Sequence, residues 1–129
     1  MMDLIKDTIH EALGIEIVKL EQDQVVLMMP IGPNSRQPLG YLHGGASVVL
    51  AESAASIGTM LNIDQENQAA FGVEINANHL RSKKEGIIYA TATPVHKGRT
   101  IMVWQIDITD EENKKVCVSR CTVAITTKR

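Results

Sequence analysis

From Gly44 to about Leu61 the chain is apolar nearly all round, interrupted only by small hydroxyls and by one carboxylate, Glu52. A helix without a wide polar face cannot rest on a surface, so this segment has to be buried on most of its sides. With 129 residues, 44% of them hydrophobic, there is material for one core and not for a second. The reading is therefore a single domain over residues 1–129 in which everything else encloses this helix. Only one Trp, two Tyr and one Phe are available, so the enclosing core is aliphatic, with Ala and Met as filling. The same scarcity argues against a base-stacking nucleic-acid surface.

The enclosing elements read mainly as strands. Asp3 can cap a short first helix with Ile5, Ile9 and Leu13 at spacing four, and Gly14 suits the position past its end. Ile15 to Leu20 and Val25 to Met29 read as two strands, followed by a loop punctuated by Pro30, Gly32, Pro33, Pro38 and Gly40. After the central helix come four more, at roughly Ala69 to Leu80, Gly86 to Val95, Thr100 to Thr109 and Val116 to Thr126. The links at 83–86, 96–99 and 110–113 are short and polar, which favours antiparallel neighbours. The order of helix, two strands, helix and four strands is an α+β layout, a long helix laid against one antiparallel sheet.

Charge and cysteine content narrow the setting. Residues 1–80 carry 3 basic and 10 acidic side chains and residues 81–129 carry 10 basic and 5 acidic ones, which suggests an anion site in the second half. Cys117 and Cys121 are four apart in a strand, roughly 13 Å along the chain, too far to pair. Reduced core thiols in a cytoplasmic protein are the simplest account. The acidic start Met1-Met2-Asp3 and the lack of a membrane-length apolar run argue against a secretory leader or a membrane partner.

The entrance to the central helix carries the chemistry. In Gln37-Pro-Leu-Gly-Tyr-Leu-His43-Gly44-Gly45 the glycines leave the first helical N–H groups open to a carbonyl or anion. The positive end of the helix stabilises charge developing on a carbonyl oxygen there, with His43 and the Gln37 amide as further contacts. Glu52 supplies the other half of an acyl-transfer site, attacking the carbonyl carbon or deprotonating a water that does. Ser56 lies one turn on and can position that water. Glu52, Ser56 and Thr59 fall on one side of the helix, a narrow polar stripe that must face something specific.

Spacing sets a difficulty. Gly44 and Glu52 are separated by roughly 12 Å along one helix, too far for one carbonyl group to touch both. Two antiparallel copies across a two-fold axis remove the difficulty, because Glu52 of one then faces His43 and Gly44 of the other. A homodimer with two shared sites is expected.

This segment, continuing through Ala-Ser-Val-Val-Leu-Ala-Glu52-Ser-Ala-Ala-Ser56, resembles hotdog-fold acyl-CoA thioesterases of the phenylacetic-acid type, and among them most the 1,4-dihydroxy-2-naphthoyl-CoA thioesterases of menaquinone and phylloquinone synthesis. The similarity extends through Gly72-Val-Glu-Ile-Asn-Ala-Asn-His79-Leu-Arg81-Ser82 and Trp104-Gln-Ile-Asp-Ile, nearly the whole chain. It implies the hotdog fold, a long central helix wrapped by an antiparallel β-sheet. It implies hydrolysis of an acyl-CoA with Glu52 as the catalytic carboxylate, with Gln37, His43 and the Gly44 N–H on the thioester carbonyl and Ser56 near the acyl group. Homotetramers built from two dimers are implied as well, with no metal and no organic cofactor beyond the coenzyme A of the substrate. The Asp that replaces Glu in a 4-hydroxybenzoyl-CoA branch is absent. Other acyl groups keep the same chemistry: phenylacetyl- or fatty acyl-CoA, or an aryl group on a carrier protein. A non-catalytic acyl-CoA sensor is the alternative from another class.

Two polar clusters remain. Asn76, Asn78, His79, Arg81 and Ser82 end a strand read as alternating Phe71, Val73, Ile75 and Ala77. By the resemblance Arg81 and Ser82 lie along the coenzyme A arm and His79 approaches the acyl pocket. His96-Lys97-Gly98-Arg99 is a tight basic turn suited to phosphate, and the resemblance gives it the nucleotide end of coenzyme A. Trp104 reads as a core or interface anchor, and Met60, near the helix end, as lining for an acyl pocket.

Overall fold

The computed structural model describes residues 2–128. Helix α1 (Ile9–Leu13) leads into strands β1 (Glu16–Glu21) and β2 (Gln24–Pro30). The long helix α2 (Gly44–Met60) follows, then β3 (Gln68–His79), β4 (Ile87–Lys97), β5 (Ile101–Thr109) and β6 (Lys115–Thr127). This is the α+β order read from the sequence, with boundaries close to those expected.

The first helix is shorter than the spacing of its apolar residues suggests. Asp3 does accept the N–H groups of Ile5 and Lys6, at 2.9 and 3.1 Å, but it caps only a turn. Asp7 then adopts φ 60°, which breaks the run, and Thr8 becomes the cap, its Oγ1 accepting the His10 N–H. Gly14 closes the helix at φ 72°, as expected.

All six strands form one antiparallel sheet in the order β1-β2-β4-β5-β6-β3. The link between β3 and β4 is thus not a hairpin, contrary to what its length suggests. Its backbone is satisfied by the 31–43 loop instead: Leu42 N–H donates to the Lys83 carbonyl at 2.7 Å and Ile31 N–H to the Gly86 carbonyl at 2.8 Å. Extended at about 3.3 Å per residue, this link reaches over the roughly 14 Å between strands three places apart. β3 is left as an edge strand beside β6.

α2 lies across one face of the sheet against β2, β3, β4, β5 and β6. The buried residues of that face alternate as period-two strands require: Val25, Leu27 and Met29; Ile88, Ala90 and Ala92; Met102, Trp104, Ile106 and Ile108. The helix sits down on Trp104, because a Cβ on Gly58 would lie 2.6 Å from its ring. The Trp104 indole N–H donates to Thr59 Oγ1 at 2.9 Å, and Thr59 donates to the Ala55 carbonyl at 3.0 Å. Thr59 therefore serves the core and does not belong to a stripe with Glu52 and Ser56, while Trp104, with no exposed surface, is the anchor expected. Cys117 and Cys121 are buried and unpaired.

β3 departs from simple alternation. Its register against β6 shifts between Gly72 and Glu74, so Val73 is an extra, bulged residue. One extra residue reverses which side the following residues face. Ile75 and Ala77 pack on the core, whereas Phe71 and Val73 are 59% and 61% exposed. The four do not share a face as the sequence pattern suggested. Among the described residues no helix is long and apolar enough to cross a membrane.

Candidate active site

His43 is the cap of α2. Its backbone is extended, and its ring Nδ1 accepts the Gly45 N–H at 2.7 Å. An accepting Nδ1 puts the proton of the neutral ring on Nε2, so the ring presents a donor outward. The same bond removes Gly45 from the amides expected to meet a substrate. Gly44 N–H has no acceptor among the described residues and remains the donor at the positive end of the helix. A neighbour presses on position 44 as well: a Cβ there would lie 2.8 Å from His79 Nε2, so the His79 ring lies over the helix entrance.

Gln37 stands in a turn closed by Gly40 at φ 90°, with Gly40 N–H donating to the Gln37 carbonyl at 2.9 Å and Gln37 N–H to the Tyr41 carbonyl at 2.8 Å. Its side-chain Oε1 accepts the Leu39 N–H. The acceptor half of the amide is thereby used and the NH₂ half is left to donate. Gln37, Gly44, His79, Arg81 and Ser82 line one cavity of about 310 Å³. Ser47 lines it too, buried to 1% exposure with an Oγ that has no hydrogen-bond partner.

Glu52 faces a different cavity of about 360 Å³, together with Ser56, Met60, Val49, Ile57 and residues of the N-terminal segment. Its carboxylate presses against Gly72 at the β3 bulge: a Cβ on Gly72 would collide with Oε2 and lie 3.0 Å from Cδ. A glycine inside a strand is a signal of close approach, and it was the available sign of this contact. The Cys121 thiol is pushed up to about 12, first by burial and then by the Glu52 and Glu74 carboxylates, which makes it inert as a nucleophile.

The basic turn belongs to neither cavity. Lys97 donates to Asn62 Oδ1 at 3.0 Å and pairs with Asp23, so it ties the far end of α2 to the β1–β2 turn. His96 and Arg99 are exposed, and Gly98 N–H closes the turn onto the Ile101 carbonyl at 2.9 Å. Among the described residues no three His, Cys, Asp or Glu side chains gather as a metal site would require.

Residues 39–117 match the family model of the thioesterase superfamily. The chain belongs to that superfamily. A 1,4-dihydroxy-2-naphthoyl-CoA hydrolase of Listeria monocytogenes is 50% identical over 94% of this thioesterase and 98% of its own length. A Pseudomonas aeruginosa thioesterase of known structure superposes with a TM-score of 0.92 at 38% identity, covering 95% of this chain and 88% of that one. One from Haemophilus influenzae gives 0.90 at 44% identity over 95% and 85%. The hotdog thioesterase fold and thioester hydrolysis follow from these together.

The thioesterase thus carries in one chain a donor end and a carboxylate end, set in separate cavities on one helix. Gln37, Gly44, His79, Arg81 and Ser82 come together at the first, and Glu52, Ser56 and Met60 at the second. Gly72, Ser47, His10 and Ser53 also line or shape the two cavities. They were not singled out from the sequence.

Proposed function

We propose that this is a cytoplasmic enzyme hydrolysing an aromatic acyl-CoA, foremost 1,4-dihydroxy-2-naphthoyl-CoA, to the free acid and coenzyme A at sites shared by two copies of the chain, in a homotetramer of two such dimers. One observation carries the reading: the carboxylate of Glu52 and the donors at the helix entrance open into different cavities, so a single chain holds two halves that one thioester group cannot bridge. The exposed apolar Phe71 and Val73 on the edge strand are consistent with a second copy there. The substrate is supported by the relative from Listeria monocytogenes.

In this mechanism the thioester carbonyl accepts from Gly44 N–H, the Gln37 amide and His43 Nε2–H, which stabilise the tetrahedral oxyanion. His43 has no free lone pair while Nδ1 holds Gly45, so it donates and does not act as a base. That leaves Glu52 to attack the carbonyl carbon or to take a proton from the attacking water, with Ser56 orienting that water. The C–S bond then breaks and the coenzyme A thiolate leaves, taking a proton from Glu52 where that group deprotonated the water, or from solvent; where Glu52 attacked, a water then hydrolyses the resulting acyl anhydride to the free acid and restores the carboxylate. Arg81 and Ser82 accompany the coenzyme A arm; His79, expected at the acyl pocket, lines their cavity and not that of Glu52, Ser56 and Met60, and His96 and Arg99 of the basic turn are directed to the nucleotide end.

Glu52→Gln is expected to lower turnover by about 10²–10⁴-fold without changing oligomer size. Free-thiol release and light scattering measure the two. Wild-type turnover by that variant would refute the mechanism, and a preference for aliphatic thioesters would refute the substrate.

A further inference from the structure

The wall of the Glu52 cavity contains a hydrogen-bonded relay that the proposed hydrolysis does not use. His10, on α1, places Nε2 2.8 Å from Ser53 Oγ on α2 and Nδ1 2.6 Å from the Leu4 carbonyl oxygen. A carbonyl oxygen only accepts, so Nδ1 carries a proton. In the neutral ring Nε2 is then a lone pair, and it accepts the Ser53 hydroxyl proton. Ser53 has no other side-chain hydrogen bond among the described residues, so what it turns toward the cavity is acceptor capacity.

The surroundings make this polar spot specific. Val49 and Ile57 lie one turn before and one turn after Ser53, and Leu4 and Ile9 close over it from the N-terminal segment, all lining the same cavity. An apolar slot with one oriented acceptor suits a flat apolar group bearing one hydrogen-bond donor. Glu52, the residue before Ser53, lines the same cavity, so a group seated there would have its carbonyl end within reach of the carboxylate.

We propose that Ser53, oriented by His10, determines acyl specificity by accepting a hydrogen bond from a hydroxyl on the aromatic acyl group. The inference rests on the reading of the Glu52 cavity as the acyl pocket. Ser53 and His10 make no bond to the reacting atoms, so their effect is on discrimination between substrates.

The test uses the full-length enzyme with hydroxybenzoyl-CoA and benzoyl-CoA as a matched pair. The wild type should favour the hydroxylated thioester in kcat/KM by about tenfold or more, the size expected for one hydrogen bond to a substrate hydroxyl. Ser53→Ala should bring the ratio close to one by losing the hydroxylated substrate while keeping benzoyl-CoA turnover. Ser53→Thr, which retains the hydroxyl, should restore it, and His10→Ala should lower it. The proposal is overturned if the wild type hydrolyses both thioesters equally, or if Ser53→Ala lowers both in parallel; the thioesterase reading survives either result. Failure of the wild type to hydrolyse any acyl-CoA overturns both.

Discussion

Gly72→Ala isolates the placement of the Glu52 carboxylate from everything else in the fold. The position has no left-handed backbone to strain, since the positive-φ glycines are Gly14, Gly40 and Gly86. Alanine should leave stability unchanged or raise it by about 0.4–1 kcal/mol by restricting the unfolded chain. The new methyl carbon would lie 3.0 Å from Glu52 Cδ, against an ordinary carbon contact of about 3.5–4.0 Å. The carboxylate end must therefore retreat by roughly 0.5–1 Å, which a flexible side chain does at little cost in stability. Catalysis is less forgiving, because a shift of about 1 Å in a reacting group costs up to about 10²-fold in rate. The expectation is a fall in kcat of about 10- to 100-fold, or about 1.4–2.7 kcal/mol in the barrier, with KM little changed. Thiol release under single-turnover conditions measures it, alongside a thermal melt. Wild-type kcat in Gly72→Ala would show that the contact does not position Glu52. A rate loss accompanied by a lowered melting temperature would attribute the effect to the strand instead.

Two further predictions concern the scaffold. Thr59→Val keeps the shape of the side chain but leaves the buried Trp104 indole N–H without its acceptor, so it should destabilise the protein by about 1–3 kcal/mol; a denaturant titration showing no change would refute that network. Asp110 accepts the Lys114 and Glu112 N–H groups, both at 2.9 Å, and pairs with Lys83. The Lys114 amide above all holds its carboxyl below the ordinary value of 3.8. A depressed folded pKa contributes stability that is complete above the unfolded value and is lost as pH falls through the folded one. The melting-temperature gap between wild type and Asp110→Asn should therefore be widest near neutrality and close as pH drops below about 4. A gap independent of pH would refute the assignment.

The helix at 44–60 was legible because no other structure tolerates so apolar a run with one carboxylate, and the strands because their apolar residues recur at period two. The separation of Glu52 from the helix entrance followed from the rise of a helix alone. Other features depended on contacts distant in the chain. His10 and Ser53 are 43 residues apart, and nothing local to either marks the pair. Glycine at 44 and 45 was read as leaving the first N–H groups open, yet the His43 ring takes the one at 45, and the rings of His79 and His43 lie where side chains at 44 and 45 would begin, which only the folded strand end and cap can place. Lys97 looked free in a basic turn because its partner Asp23 comes from another turn. The β3–β4 link misled because length limits which strands can be joined but does not choose among them.

The bulge at Val73 gives the edge strand two reading frames. Before it, even-numbered positions such as Ala70 turn toward the core; after it, odd-numbered ones such as Ile75 and Ala77 do. Tolerance to polar substitution should invert at that residue, and deleting Val73 itself would leave both frames in step, whereas a one-residue deletion elsewhere in the strand would turn part of it over. Glu52 touches the strand where the frames meet, which couples the bookkeeping of strand length to the chemistry of the helix.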